Sequence, residues 1–254
     1  MPSQGRSLER RARRIVATLL WHARGRPGVV RHPDSFLPLD RLATGYPPYQ
    51  PTYRFGGGYI DAAHARLGET SMRGDIIDLG IPGWLRPADA LKLYELAYFS
   101  DGDLLEIGCY HGLSTHIQID ALRNAGRGRT VTSLELVPDY VAEAERHTVD
   151  NAAFRTFLTG DARESCAALR RDGRSFGTAF VDHSHTYELV YAACQDLKQL
   201  LNPGGFALFH DYNDDRNAHH PEYGVYQAAR DAFADGSFRF CGIYGCTGLY
   251  RRSS

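Results

Sequence analysis

Five short apolar runs between residues 103 and 211 each arrive at a carboxylate. DLLEIG holds Glu106, TVTSLE ends on Glu135, FRTFLTGD on Asp161, GTAFVD on Asp182 and PGGFALFHD on Asp211. Between and after them lie stretches with apolar residues at helical spacing: STHIQIDALRNA, a segment opening on Pro138, one after Asp161, YELVYAACQDLKQLL and GVYQAARDAFA. Proline suits a first helical turn because its φ is already fixed there. Short strands alternating with helices build a parallel sheet covered by helices on both faces. The tail FRFCGIYGCTGLYRR reads as two strands joined through YGCTG, an antiparallel hairpin that closes the sheet. The expected fold class is therefore α/β, doubly wound and mostly parallel, over residues 80–254, with a helical turn of chain over 88–99 leading in.

Residues 1–79 form an N-terminal extension of different character. Leu8, Ala12, Ile15, Val16, Leu19 and Ala23 share one face of a helix whose other positions are rich in arginine. Such a helix docks on its own domain or on a second subunit, the expected route to a homo-oligomer, or else lies on a membrane surface. Residues 26–58 carry RPG, YPPYQP and FGGG, which predict an irregular connection. Its tyrosines (Tyr46, Tyr49, Tyr53, Tyr59) either cover a cleft or pack on the surface, and Arg54 with the FGGG run is a candidate lid.

Composition narrows the function classes. Hydrophobic residues make up 43% of the chain, ample for a core, and the net charge is −1. Eight arginines against one glutamate in residues 1–31 leave an acidic excess of eight on residues 32–254, which argues against a nucleic-acid partner for the main domain. Five cysteines, an odd number without CxxC, indicate neither zinc nor a disulfide framework but reduced thiols in a cytoplasm. No apolar run approaches a membrane span, and IVATLLW, flanked by arginines, is a poor signal peptide.

In an open parallel sheet, ligands gather beyond the carboxyl ends of the strands, where the acids stand. Gly108 and Gly112 after the first strand let the backbone turn tightly and let a ligand approach. Glu135, at the end of the second strand, is placed to accept the hydroxyls of a ribose. The spacing is not GxGxxG, and an anion beside a pyrophosphate is repelled, so a positively charged nucleoside suits this loop better than a dinucleotide.

That combination resembles the class I S-adenosylmethionine-dependent methyltransferases, whose Rossmann-like sheet it would share. EIGCYHGLST is similar to their first motif, SLELVPDY to the second and TGDARE to the third. The resemblance implies cofactor contacts from Glu106, Gly108, Tyr110, Gly112, Ser114, Glu135, Asp161, Ala162 and Asp182. FVDHSHTYELVYAACQDLKQLLNPGGFALFHDY resembles a narrower branch, the small-molecule O-methyltransferases that include the catechol and macrocin enzymes and cephalosporin-hydroxylase-like proteins. It implies Asp182 and Asp211 as ligands of a divalent metal such as Mg²⁺, with Asp182 and His185 catalytic and His185 the base. The acceptor would be a hydroxyl of a sugar, natural product or phenol. Two departures stand out: Tyr212 occupies the place of the usual Asn, with Asn213 one position late, and His183 stands where Gly is usual.

The chemistry agrees. Two carboxylates at adjacent strand ends suit a hard cation, and a histidine can take the acceptor's proton. HHPEY (219–223) reads as a loop lining the substrate mouth. The alternatives are a non-catalytic S-adenosylmethionine-binding module acting through a protein partner, an oxidoreductase, which would want GxGxxG and Tyr-x-x-x-Lys, and a nucleic-acid methylase.

Overall fold

The computed structural model describes residues 45–69 and 72–254, and the expected helix over 8–23 lies outside them. The chain enters through α1 (Ala62–Glu69), a two-stranded ribbon of β1 (Met72–Arg73) and β2 (Ile76–Ile77), and α2 (Pro87–Phe99). Then come β3 (Leu104–Ile107), α3 (Leu113–Ala125), β4 (Val131–Glu135), α4 (Pro138–His147), β5 (Arg155–Thr159) and α5 (Ala162–Arg171). The second half runs β6 (Phe176–Val181), α6 (Tyr187–Leu200), β7 (Leu201–Phe209), the short α7 (Arg216–His219), α8 (Val225–Ala232), β8 (Phe238–Tyr244) and β9 (Thr247–Arg252).

Seven strands form one sheet in the order β5-β4-β3-β6-β7-β9-β8. β5 to β7 are parallel, β9 is antiparallel to β7, and β8 to β9. The doubly wound sheet and its closing hairpin are as the residue pattern predicts. The chain winds outward from β3 to β5 and resumes at β6 on the other side of β3, so β3 and β6 flank the switch point where ligands bind.

Strand periodicity assigns the faces. Leu105 and Ile107 join the core beneath α5, α6 and α8 with Ala179, Val181, Ala207 and Phe209. Leu104 joins the opposite core, with Phe180, Leu208 and residues of α1, α2 and α3. Tyr53 belongs to that second core, stacked on Phe99 at 4.6 Å, so it packs rather than covering a cleft.

The irregular segment before α1 is pinned by a buried ion pair. Lys92 and Glu95 on α2 are fully buried and 2.6 Å apart. Lys92 Nζ also donates to Gln50 O (2.6 Å) and Thr52 Oγ1 (2.8 Å), while Glu95 Oε1 accepts from the backbone N of Thr52 (2.6 Å) and Tyr53 (2.7 Å).

Candidate active site

The loop from β3 to α3 is built around two glycines. Gly108 has φ +89, and a Cβ there would lie 2.5 Å from the Asp182 carbonyl oxygen, so only glycine lets the β3 and β6 ends come this close. Gly112 (φ +89) opens α3 and is packed against Ala144 of α4. Glu135 reaches across from β4: its Oε2 accepts from the backbone N of Tyr110 (3.0 Å) and Cys109 (3.3 Å), and its Oε1 from Val137 N (3.1 Å). Tyr110 takes a left-handed φ of 47, a strained conformation held by these bonds.

Glu106 does not face this loop's open side. As Leu104 does, it points toward α3, and it is fully buried. Its carboxylate accepts from Thr115 Oγ1 (2.5 Å), Ser133 Oγ (2.6 Å) and Gln118 Nε2 (2.8 Å), tying β3 to β4 and α3. The expected direct cofactor contact is thus replaced by a place under the loop. Burial pushes its carboxyl up to about 7 against those donors. Gln118 Oε1 is buried with no donor, and turning that amide over would give a protonated Glu106 an acceptor. A folded-state value above the unfolded one near 4.5 makes this contribution full below pH about 4.5 and lost as pH rises through about 7. Urea denaturation of Glu106→Gln between pH 4.5 and 8 should therefore lose about 3 kcal/mol of pH dependence relative to the parent protein.

A cavity of about 500 Å³ opens at the switch point. Gly108, Tyr110 and Ser114 line one side, and Asp182, His185 and Asp211 the other. Gly112, Glu135, Asp161 and Ala162 do not line it. Asp161 caps α5 at its exposed start, accepting from Arg163 N at 2.8 Å and pairing with the Arg163 guanidinium.

His185 Nε2 lies 3.2 Å from Asp211 Oδ2 and 3.5 Å from Asp182 Oδ1. Its ring stacks on Tyr223, with centroids 5.0 Å apart and planes 1° from parallel. The Gly224 N–H bonds its carbonyl at 2.8 Å. His210, unremarked in the sequence, completes the cluster. Its Nδ1 is 3.1 Å from Asp182 Oδ1 and 3.5 Å from Asp211 Oδ1. Burial opposes its charge, yet Asp182 and Asp211 push it up to about 10. Burial also opposes the Asp182 carboxylate, but His210 and His185 hold it well below the usual range. His183 lies outside the cluster, its value lowered to about 4 by burial.

The far wall comes from residues 75–86, not from the FGGG run. Trp84, 63% exposed, stands 5.6 Å from Tyr110 at the mouth. Arg86 pairs with Asp75 at 2.9 Å and lies over Tyr46 at 3.5 Å. From the HHPEY stretch only Tyr223 lines the cavity, where Arg216 lies over it at 4.1 Å. Tyr212 is fully buried and bonds Tyr250 OH at 2.9 Å, while Asn213 Nδ2 donates to Gly45 O at 2.7 Å.

Residues 105–212 match a family model described as a methyltransferase domain. None of the curated proteins compared with the chain matches it in sequence. The fold is similar to that of the O-methyltransferase TomG of Streptomyces achromogenes, involved in tomaymycin synthesis and solved with SAM: 19% identity, 76% of this chain and 91% of that one, TM-score 0.54. It is also similar to an O-methyltransferase from Bacillus cereus solved with SAH, at 16% identity, the same two coverages and TM-score 0.56. A third likeness is to an SAH-bound methyltransferase of Podospora anserina, at 18% identity, 78% and 91% coverage and TM-score 0.54. Residues 105–212 are thus similar to a methyltransferase domain, and the fold is that of O-methyltransferases solved with SAM or SAH.

Proposed function

We propose that the protein transfers the methyl group of S-adenosylmethionine to a hydroxyl of a small molecule, with His185 as general base. The observation that carries this reading is one cavity lined on one side by the glycine loop and on the other by His185 between two carboxylates. The acceptor oxygen attacks the methyl carbon in line with the carbon–sulfur bond. That bond breaks, its electron pair stays on sulfur, and the sulfonium becomes a thioether. The hydroxyl proton passes to His185 Nε2, and Asp182 and Asp211 stabilise the imidazolium that forms. The protein's main work is alignment, because the donor is already a strong electrophile. Ser114 and the loop backbone would hold the donor, with Glu135 on its ribose. A cavity of about 500 Å³ suits a sugar, phenol or natural product as acceptor.

The expected Mg²⁺ fits these residues poorly. Mg²⁺ takes oxygen ligands, whereas a ring nitrogen of His210 stands within 3.5 Å of both metal-candidate carboxylates. A cytoplasmic location belongs to the same reading and is supported by five buried free thiols. No helix among the described residues is long and apolar enough to cross a membrane.

Saturating S-adenosylmethionine should raise the melting temperature, since a ligand at 100 times its Kd adds about 2.7 kcal/mol to the folded state. Glu135→Ala should abolish the shift. No shift with the donor or with S-adenosylhomocysteine would sink the reading.

A further inference from the structure

Among the described residues, two groups of side chains lie close enough together to share an ion: Asp182 with His185 and His210, and Asp211 with Asp214 and Cys246. Each group already holds a donor of the protein's own. In the first, His210 Nδ1 is 3.1 Å from Asp182 Oδ1, and it reaches across to Asp211 Oδ1 at 3.5 Å. In the second, Arg216 takes both oxygens of Asp214, Nε to Oδ1 and Nη2 to Oδ2 at 2.7 Å each, and its Nη2 lies 3.3 Å from Asp211 Oδ2.

Such donors and a hard cation compete for the same space. A hydrogen bond of ordinary length places its hydrogen about 2 Å from the oxygen, and Mg²⁺ sits about 2.1 Å from the oxygens it binds. His210 has little room to yield. It is 5% exposed, its backbone N–H bonds Val181 O at 3.0 Å, and its ring lies edge-on to Phe180 at 6.2 Å. Its Nε2 is buried without a hydrogen-bond partner, so Nδ1 is the nitrogen that serves the carboxylates. Between two carboxylates Nδ1 carries its hydrogen whether the ring is neutral or charged, so the exclusion does not depend on the ring's charge. Asp211 is fixed as well, with a left-handed φ of 53 and its carbonyl held by Asn217 Nδ2 at 2.7 Å.

We propose that His210, with Arg216, stands in for a divalent cation: their N–H groups fill the inner positions of Asp182 and Asp211, and the cavity works without a metal ion. His210 is thereby a positioning residue that fixes the two carboxylates facing His185. Asp211 divides its oxygens, Oδ1 toward His210 and Oδ2 toward His185 at 3.2 Å, so the base keeps its partner. The service to catalysis rests on the methyl-transfer reading, whereas the exclusion of the ion rests on the side chains alone.

The test uses the full-length chain, stripped by a chelator. Mn²⁺ is titrated by the paramagnetic resonance of the free ion and Mg²⁺ by calorimetry, each with and without S-adenosylhomocysteine. No stoichiometric binding is expected at submillimolar ion. His210→Ala removes the inner donor and bares both carboxylates, so it should gain one Mn²⁺ per chain, bound at least tenfold more tightly than by the parent. A histidine that serves packing alone gives no such gain. In the parent, nitrogen-15 spectra should show His210 Nδ1 protonated and both ring shifts unmoved by Mg²⁺, and this readout needs no variant. Stoichiometric Mn²⁺ or Mg²⁺ in the parent, a folded His210→Ala without the gain, or an unprotonated Nδ1 would overturn the proposal. The melting shift with S-adenosylmethionine is read separately on the stripped protein, and its absence would sink the methyl-transfer reading while the ion exclusion stands.

Discussion

Glu95→Ala should lower the unfolding free energy by about 3–5 kcal/mol, the usual cost of removing one partner from a buried ion pair. For a domain of this size that is roughly a 10 °C fall in melting temperature. The change strips the counter-charge from Lys92 Nζ and also orphans the backbone N–H groups of Thr52 and Tyr53. Lys92→Met should cost less, because the Glu95 carboxylate left behind still accepts from both of those groups. Urea denaturation of the two variants checks the order. A Lys92→Met protein as unstable as Glu95→Ala would mean that the ammonium, through Gln50 and Thr52, is what pins the segment.

That ion pair shows which contacts a sequence conceals. Lys92 and Glu95 lie three apart on one helix, a spacing that ordinarily means a solvated surface pair. Only the arrival of Gln50 and Thr52, some forty positions earlier, buries them. The wall of the cavity was hidden for the same reason. Pro/Gly density over residues 26–58 announces only an irregular connection and leaves its tyrosines open between cleft cover and surface packing, while Trp84 and Arg86, in a stretch with no periodic signal, line the cavity. Elements with strong local periodicity fared differently. The seven strands of the main sheet and the longer helices from 87 to 252 stand within a few residues of their apolar runs, because periodicity fixes both element type and face, whereas the short helix Arg216–His219 has no apolar run to announce it.

The same alternation explains the candidate site. Asp182, His185 and Asp211 converge as strand-end placement requires, since β6 and β7 are neighbours and run parallel. Glu106 departs from expectation for a reason also written in its strand. It shares parity with Leu104, which faces α3, so its carboxylate turns to Thr115 and Gln118. His210 escaped notice because a histidine before a strand-end acid reads as the last apolar-run residue. Its importance comes from parallel pairing with β6, which sets its ring beside Asp182.

Replacing His185 with alanine should reduce kcat by about 10²- to 10⁴-fold, the range for loss of a positioned base, or roughly 3–5 kcal/mol of barrier. The melting shift with S-adenosylmethionine should persist, because His185 lies against Asp182, Asp211 and Tyr223 and touches none of the glycine loop's hydrogen bonds. Stopped assays by mass spectrometry and a thermal melt of the same preparation separate the two effects. The size of the rate loss also reports on the acceptor. An alkyl hydroxyl, as in a sugar, attacks poorly until its proton leaves, so it needs the base throughout. A phenol is partly ionised unaided, so its transfer should suffer less in His185→Ala and recover as pH rises. A variant with undiminished kcat on every methylated acceptor would remove His185 from the chemistry and leave the two carboxylates to be reassigned.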